Sequence, residues 1–239
     1  MIKIYYYNIH FWRAEVLRAG LFLQNIPFEN ITDKEKLMEM KPKAPFAAFP
    51  ILETDDGKIL SQTQAMASYV GKVGSVYDYS GNGDGDGAAS TSADEKYPRL
   101  YPADDDYFGQ AKCDEIINGC TDVTNTIGST FSIPKEEVEG KRKEMIKADG
   151  GRLHLHLTGL NTIVGGDGYA CGDNNGESES KSSMTVADIC VWRLISWLSS
   201  GKLDHIPTDF VSSNFGNLQK IHDNVETNDK IVEYMKLYY

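Results

Sequence analysis

The spacing of apolar residues changes within the first 30 positions of the chain. Ile2, Ile4 and Tyr6 alternate with their neighbours in a two-residue period rich in β-branched and aromatic side chains, which predicts a strand. From Ala14 the apolar residues follow helical spacing until Pro27, where the segment ends. The chain therefore begins with a predicted strand followed by a predicted helix.

A second strand and a hairpin extend this pattern. Residues 28–31 are typical of a short strand, and residues 33–40 of a short charged helix. Two further extended segments are joined by Thr54–Gly57, whose Asp-Gly pair is a strong hairpin signal. With a helix over residues 64–70, the order is βαβαββα, which predicts a small α/β layer with a mixed sheet.

Two segments poor in apolar residues interrupt the rest of the chain. Residues 79–95 are rich in Gly, Ser and Asp, and residues 173–183 are rich in Ser, Glu and Gly, as in flexible linkers. Around them, helical patterns predict helices over 107–123, 134–164, 184–198, 217–225 and 229–237. We therefore expect an α/β domain over residues 1–77, an acidic insert or linker over 78–103 and an all-helical domain over 104–239.

The net charge excludes one class of partner. The 239 residues carry a formal charge of −11, which leaves no broad basic surface for nucleic acid or acidic lipid. Residues 78–106 carry eight Asp or Glu against two Lys or Arg, and residues 173–183 carry three against one, so these segments hold 8 of the 11 net charges. Residues 1–77 have a net charge of +1, so the acidity describes the inserts rather than the α/β half.

Apolar runs and cysteines indicate the compartment. No apolar run approaches the ~20 residues that a membrane span needs, and Met1 leads directly into a strand-like segment rather than a signal peptide. Four cysteines in a chain of this length do not make a disulfide framework, which favours reduced thiols and a cytoplasmic protein. Cys113 and Cys120 are two helical turns apart, and we expect them in or near the core.

The clearest local motif is a helix start at Thr185. Thr185 and Asp188 match a variant of the capping box, with Met184 and Ile189 at the positions of a hydrophobic staple. The helix that follows is too apolar for a surface helix. We interpret the motif as structural and place the helix in the core.

Two segments in the α/β half are consistent with a ligand site. A proline that enters a strand, as Pro50 does, donates no amide hydrogen to the sheet and frees the neighbouring backbone for another partner. Gln62 and Thr63 at a helix start offer open amides and a hydroxyl, which together form a small cradle for a carboxylate. Either segment alone also fits an ordinary strand, hairpin and capped helix. Their combination is more specific.

These segments belong to a wider resemblance. Four stretches occur in the order and roughly the spacing of one family: Tyr6-Tyr7-Asn8 with Arg13-Ala14-Glu15, Pro45–Leu52, Ser61-Gln62-Thr63 with Ala65, and Thr185–Asp188. The chain resembles the cytosolic glutathione S-transferases, and most closely the sigma-like, prostaglandin D synthase-type branch. The resemblance implies an α/β thioredoxin-like N-terminal domain plus an all-α C-terminal domain, glutathione as co-substrate, a hydrophobic electrophile, a homodimer and no metal.

The family's catalytic tyrosine has two possible positions here. Counting from Asn8 gives Tyr6, whereas counting back from Arg13 gives Tyr7, because the segment Ile9–Trp12 is one residue longer than usual. We prefer Tyr6, since the strand before the loop is less disturbed than the loop. Its hydroxyl is expected to donate to the glutathione sulfur and stabilise the thiolate, with no general base.

The same motifs assign residues that hold glutathione. Pro50 corresponds to the cis proline of thioredoxin-like folds, and Phe49 before it is expected to pair its backbone with the cysteinyl part. Gln62 and Thr63 are expected to bind the γ-glutamyl end, and Lys41 the glycyl carboxylate.

Two further residues and two departures complete the assignment. Arg13 is expected to shape the site, and Asp114 to reach across a dimer interface to the γ-glutamyl amine. Leu37 and Ala48 stand where this branch usually has Trp and Lys, so glutathione should be held by fewer contacts.

Other candidate residues give weaker signals. Tyr101, Tyr107 and Phe108 are candidates for the electrophile pocket, with core packing as an equal alternative. His154 and His156, two apart in a helical stretch, do not have the spacing of a metal chelate.

Three functional alternatives stay open at this point. The same thiolate would serve isomerisation of a prostaglandin-like endoperoxide or reduction of a hydroperoxide. A non-catalytic, crystallin-like or scaffold relative would keep the fold and lose the activity. In the third alternative, the segment 79–98 is a module for protein interaction.

Overall fold

The computed structural model describes residues 1–74, 99–171 and 183–239 of the chain. The acidic insert predicted over 78–103 and the segment 173–183 fall mostly outside these ranges. The domain boundaries inferred from the sequence therefore stay predictions.

The N-terminal half contains a mixed sheet of four strands, which are β1 Ile2–Tyr5, β2 Phe28–Ile31, β3 Ile51–Glu53 and β4 Ile59–Ser61. Their order in the sheet is β2-β1-β3-β4. β1 is parallel to β2 and antiparallel to β3, and β4 is antiparallel to β3, which confirms the predicted order and the hairpin.

Helices cover both faces of the sheet, as the alternation along β1 requires. They are α1 Trp12–Leu23, α2 Lys34–Met40, a 3-10 turn Lys41–Lys43 and α3 Thr63–Val73. Ile2 and Ile4 are buried in the large core with α1 and α3. Tyr5, on the opposite face of β1, packs in a smaller cluster that includes Leu37 and Met40 of α2.

α1 and α3 approach each other closely on one face of the sheet. A Cβ atom on Gly20 would lie 2.7 Å from a methyl of Val70, so glycine permits the crossing. One turn further, the buried amide of Gln24 donates to the carbonyls of Gly20 and Val70, at 2.9 and 2.8 Å, and accepts from the Gly74 amide at 3.0 Å.

The C-terminal half is helical, and the helix α7, Val186–Leu198, lies at its centre and is buried along most of its length. The capping box at its start is confirmed: Asp188 accepts from the Thr185 amide and hydroxyl, each at 2.7 Å, and from the Ala170 amide at 2.7 Å. Burial outweighs these hydrogen bonds and raises the pKa of Asp188 to about 6. The helices are α4 Tyr107–Gly128, α5 Lys135–Met145, α6 Arg152–Ile163, α7 Val186–Leu198, α8 Phe210–Asn214, α9 Gly216–Glu226 and α10 Asp229–Tyr238.

The prediction of one helix over residues 134–164 is wrong. The segment forms α5 and α6, separated by a turn at residues 146–151. Gly150 adopts a positive φ of 77°, and a Cβ atom on Gly151 would lie 2.3 Å from the carbonyl of Lys147. These two glycines therefore set the break, because a larger residue does not fit the turn.

The two halves share one continuous apolar core. Its buried residues come from the sheet, from α1 and α3, and from α4, α6, α7 and α9. Cys113 and Cys120 are fully buried within it, which confirms their expected position.

Candidate active site

Three candidate residues meet at one end of the sheet. In the ladder, Ile51 is the partner of both Tyr5 and Ser61. Because the neighbouring strands are antiparallel, the next residues at this end of β1, β3 and β4 are Tyr6, Pro50 and Gln62. Residues that are far apart in the sequence are thereby brought side by side.

The two tyrosines that compete for the catalytic position differ in their surroundings. Tyr6 is buried, with 6% of its surface exposed, whereas Tyr7 is 46% exposed. The guanidinium carbon of Arg18 lies 5.8 Å from the centroid of the Tyr6 ring. Burial raises the pKa of Tyr6, although the charges of Arg13 and Arg18 oppose the rise. The Tyr6 phenol is therefore neutral at physiological pH and keeps a proton to donate.

Tyr7 contacts the segment that leads into β3. Its ring packs edge-on against Phe49, with 5.4 Å between the centroids and 74° between the planes. The Phe49–Pro50 peptide bond is cis, as the resemblance implies.

The start of α3 has open hydrogen-bonding groups. No side chain caps this helix, so its first amides lack the partner that a cap supplies. The Ser61 hydroxyl just before it is buried, and no described residue hydrogen-bonds to it. Gln62 has φ 80° and ψ 112°, a region that non-glycine residues rarely occupy and that is enriched at functional sites. With Thr63 buried beside it, this end of α3 can take a carboxylate.

Arg13 faces the C-terminal half. Its guanidinium lies 4.9 Å from the centroid of the Trp12 ring and donates to the side chain of Asn125 on α4 at 3.5 Å. Burial lowers the pKa of Arg13, and the nearby Tyr6 opposes that change. Arg13 therefore places positive charge between Tyr6 and α4.

Lys41 and Asp114 are not joined to this group. Lys41 is half-buried at the start of the 3-10 turn, and among the described residues no hydrogen bond or ion pair connects it to the other candidates. Asp114 accepts from Ser68 of α3 at 2.8 Å and from the Tyr101 hydroxyl at 2.6 Å. One of its oxygens therefore ties α4 to α3 within the chain.

The structure also locates the departures and the proposed pocket residues. Leu37 is buried in the small cluster under the sheet, and Ala48 is exposed. Tyr101 is buried, which confirms the core alternative for that residue. Tyr107 and Phe108 are 80% and 81% exposed, so the core alternative is wrong for them.

Sequence reasoning missed Arg18. Its side chain is only 3% exposed and donates to Glu15 at 2.8 Å, and Glu15 is fully buried. The available signal was a pair of opposite charges, Glu15 and Arg18, three residues apart with only apolar residues between them.

The described residues contain no group of three His, Cys, Asp or Glu side chains that could hold a metal ion. Within the same ranges, no helix combines the length and apolar character needed to cross a bilayer.

Comparisons with known proteins identify similar sequences and similar folds. Residues 121–237 match the family model described as "Glutathione S-transferase, C-terminal domain". A glutathione S-transferase of Anopheles gambiae is 25% identical over 235 residues, which cover 98% of this chain and 94% of that protein.

Solved structures show the same fold. The prostaglandin synthase D of Nilaparvata lugens superposes with a TM-score of 0.69 at 17% identity, covering 100% of this chain and 99% of the other. A sigma class glutathione S-transferase of Fasciola hepatica gives 0.62 at 19% identity, covering 100% and 96%. The chain shares with these structures the glutathione S-transferase fold, in which a thioredoxin-like domain is followed by a helical domain, and its residues 121–237 match the C-terminal domain model of that family.

Proposed function

We propose that this protein is a glutathione transferase in which the Tyr6 hydroxyl stabilises the thiolate of bound glutathione. The observation that carries the proposal is the meeting of Tyr6, Pro50 and Gln62 at one end of the sheet, next to an uncapped helix start. The match of residues 121–237 to the glutathione S-transferase C-terminal domain supports glutathione as the co-substrate.

The chemistry follows from the state of Tyr6. A free thiol of this kind has a pKa of ~8.5, so only a few per cent is thiolate near neutral pH. A neutral phenol that donates to the sulfur favours the charged form. A drop of about 2 units corresponds to about 2.7 kcal/mol and makes the thiolate the major species. Arg13 and Arg18 lie close enough to lower the pKa of Tyr6, and their positive charges would also favour a thiolate bound beside it.

Glutathione would lie across the end of the sheet. Its γ-glutamyl carboxylate fits the open amides at the start of α3, beside Gln62 and Thr63. The backbone of Phe49 would pair with the cysteinyl part, and Lys41 would approach the glycyl carboxylate. Leu37 is buried and stands where the family branch usually has Trp, so the glycyl end would have one hydrogen-bond donor fewer than the family pattern.

The electrophile would bind on the apolar surface beside Tyr6. Tyr7 and Ile9 are 46% and 49% exposed there, which suits a small hydrophobic compound. A structural neighbour carries the name prostaglandin synthase D, so isomerisation of a lipid endoperoxide by the same thiolate is the second candidate.

Assembly and compartment are part of the proposal. A cleft of about 660 Å³ between α4 and α6 includes Asp114, and we propose that this face meets a second copy of the chain. Asp114 would use its second oxygen toward the partner's glutathione. All four cysteines are free thiols, which supports a cytoplasmic protein.

The test is retention on immobilised glutathione together with conjugation of a chromogenic aryl halide. We expect the wild type to bind and turn over, Tyr6→Phe to bind but lose most of the turnover, and Tyr7→Phe to keep it. If Tyr7→Phe loses turnover instead, the catalytic tyrosine is Tyr7 rather than Tyr6. A wild type that neither binds nor turns over would favour the scaffold alternative.

A further inference from the structure

The loop that follows Tyr6 is held by a buried guanidinium. Residues 7–11, called the active-site loop below, include the segment that is longer than the family pattern. Arg18 donates to the backbone carbonyls of Tyr7 at 3.3 Å and Ile9 at 3.2 Å. The same guanidinium lies against the Tyr6 ring. The position of Arg18 therefore sets both the loop and the tyrosine.

Glu15 in turn fixes Arg18. It accepts from Arg18 at 2.8 Å through one oxygen, and through the other from the hydroxyls of Tyr234 at 2.9 Å and Tyr239 at 2.6 Å. Both hydroxyls come from the end of the helical half, more than 200 residues away in the sequence. Burial and the charge of Glu15 raise the pKa of both tyrosines, so both remain donors.

Tyr239 also contacts the active-site loop directly. Its ring stacks on His10, with 3.6 Å between the centroids and 27° between the planes. The guanidinium carbon of Arg193 on α7 lies 5.1 Å from the centroid of the Tyr239 ring, and the same guanidinium donates to the His10 carbonyl at 3.1 Å. His10 is therefore held by its ring and by its backbone from the helical half.

We propose that Tyr239 is a positioning residue for Tyr6. Its hydroxyl orients Glu15 and thereby Arg18, and its ring holds the active-site loop through His10. The proposal rests on the proposed function, since it concerns the orientation of the phenol that would donate to glutathione. Nothing in the family motifs assigns such a role to this position.

The expected effect separates chemistry from binding. Removing the Tyr239 hydroxyl leaves Glu15 with fewer donors and allows Arg18 and the loop to shift. The glutathione cradle at Gln62 and Thr63 lies on other elements, and within the described ranges no hydrogen bond or ion pair links it to Glu15, Arg18 or Tyr239. We expect kcat to fall by about three- to tenfold and the KM for glutathione to change by less than about twofold, the pattern of a lost transition-state interaction.

The experiment compares Tyr239→Phe with Tyr238→Phe. Tyr238 is the adjacent residue, and its ring packs on Phe22 and Phe28, but none of the described residues hydrogen-bonds to its hydroxyl. The readouts are kcat and KM, the ionisation of bound glutathione followed by ultraviolet difference absorbance against pH, and amide hydrogen exchange of residues 8–11. We expect Tyr239→Phe alone to lower kcat, raise the pKa of the bound thiol and speed exchange in the loop.

Several results would overturn the proposal. One is an equal rate of amide hydrogen exchange in the active-site loop of the two variants. Another is a Tyr239→Phe enzyme in which both kcat and the pKa of the bound thiol are the same as in the wild type. A rise in KM with constant kcat would also overturn it, because that pattern indicates a binding role. If the wild type is not retained on glutathione, the proposed function fails, and loop exchange alone then decides whether Tyr239 holds the loop.

Discussion

Trp12, the first residue of α1, donates its indole N–H to the hydroxyl of Thr124 on α4 at 2.8 Å. The contact joins the two halves of the chain next to Arg13. Trp12 is fully buried, so its N–H has no water as an alternative partner.

Thr124→Val tests this contact. The variant keeps the shape but leaves the indole N–H unsatisfied, and we expect the free energy of unfolding to fall by about 1–3 kcal/mol. The matched control is Thr121→Val one turn earlier, whose hydroxyl donates only to a carbonyl of its own helix, that of Ile117. Urea unfolding of both variants gives the comparison, and equal midpoints would contradict the assigned role of the Trp12 contact.

Gln62 offers a test that separates backbone strain from ligand contact. A residue in a sparsely populated region costs of order 1–3 kcal/mol, so Gln62→Gly should not destabilise the protein and should stabilise it by up to about 1 kcal/mol. Gln62→Ala keeps the strain and should leave stability nearly unchanged. Both should weaken retention on glutathione. If the glycine variant melts well below the alanine variant, the backbone of Gln62 is not strained. If both variants are retained on glutathione as well as the wild type, Gln62 does not contribute to glutathione binding.

The buried Glu15 predicts an acid limit to stability. Burial alone would raise the pKa of its carboxyl, but the His10 ring nitrogen at 3.8 Å, the Arg18 charge and the Tyr239 hydroxyl lower it to about 2 from its ordinary 4.5. The depressed pKa contributes stability above about pH 4.5 that is lost as the pH falls toward 2, about 3 kcal/mol in all.

Urea unfolding from pH 7 to 2 measures this contribution. The stability difference between wild type and Glu15→Gln should shrink across that window, whereas the exposed Glu144→Gln should show little change. A difference that is constant with pH would contradict the assigned ionisation of Glu15.

Gly20 tests the close approach of α1 and α3. A Cβ atom at this position would lie 2.7 Å from Val70, and Gly20→Ala should destabilise by about 1–3 kcal/mol through overpacking. Gly140→Ala in α5 has no atom within 4 Å of its new Cβ and should stabilise by up to about 1 kcal/mol. Thermal melts of the two variants should therefore shift in opposite directions, and a stabilised Gly20→Ala would show that the helices are looser than described.

The strands, the hairpin and α7 could be predicted from the sequence because their signals are local. A two-residue period specifies β1, and the capping box at Thr185 and Asp188 specifies the start of α7. The break between α5 and α6 was missed, since it depends on how a glycine fits against a carbonyl in the folded turn. α8 was also missed, because five residues are too few for a periodic pattern.

In the candidate site, too, some features could be predicted from the sequence and others depend on the folded structure. Motif order identifies Tyr6, Pro50 and Gln62 from the sequence, and the sheet register explains why they meet. No local pattern could reveal the network of Glu15 and Tyr239, which lie 224 positions apart. Likewise, the in-chain partners of Asp114 depend on how α4 packs on α3.

The central claim is that the Tyr6 hydroxyl lowers the pKa of the glutathione thiol. Titration of bound glutathione by ultraviolet difference absorbance tests it directly, at glutathione concentrations that saturate each protein. The account predicts that the wild type and Tyr7→Phe ionise the thiol about 2 units below its free value of ~8.5, and that Tyr6→Phe returns it close to that value. A thiol that ionises equally in wild type and Tyr6→Phe would contradict the claim.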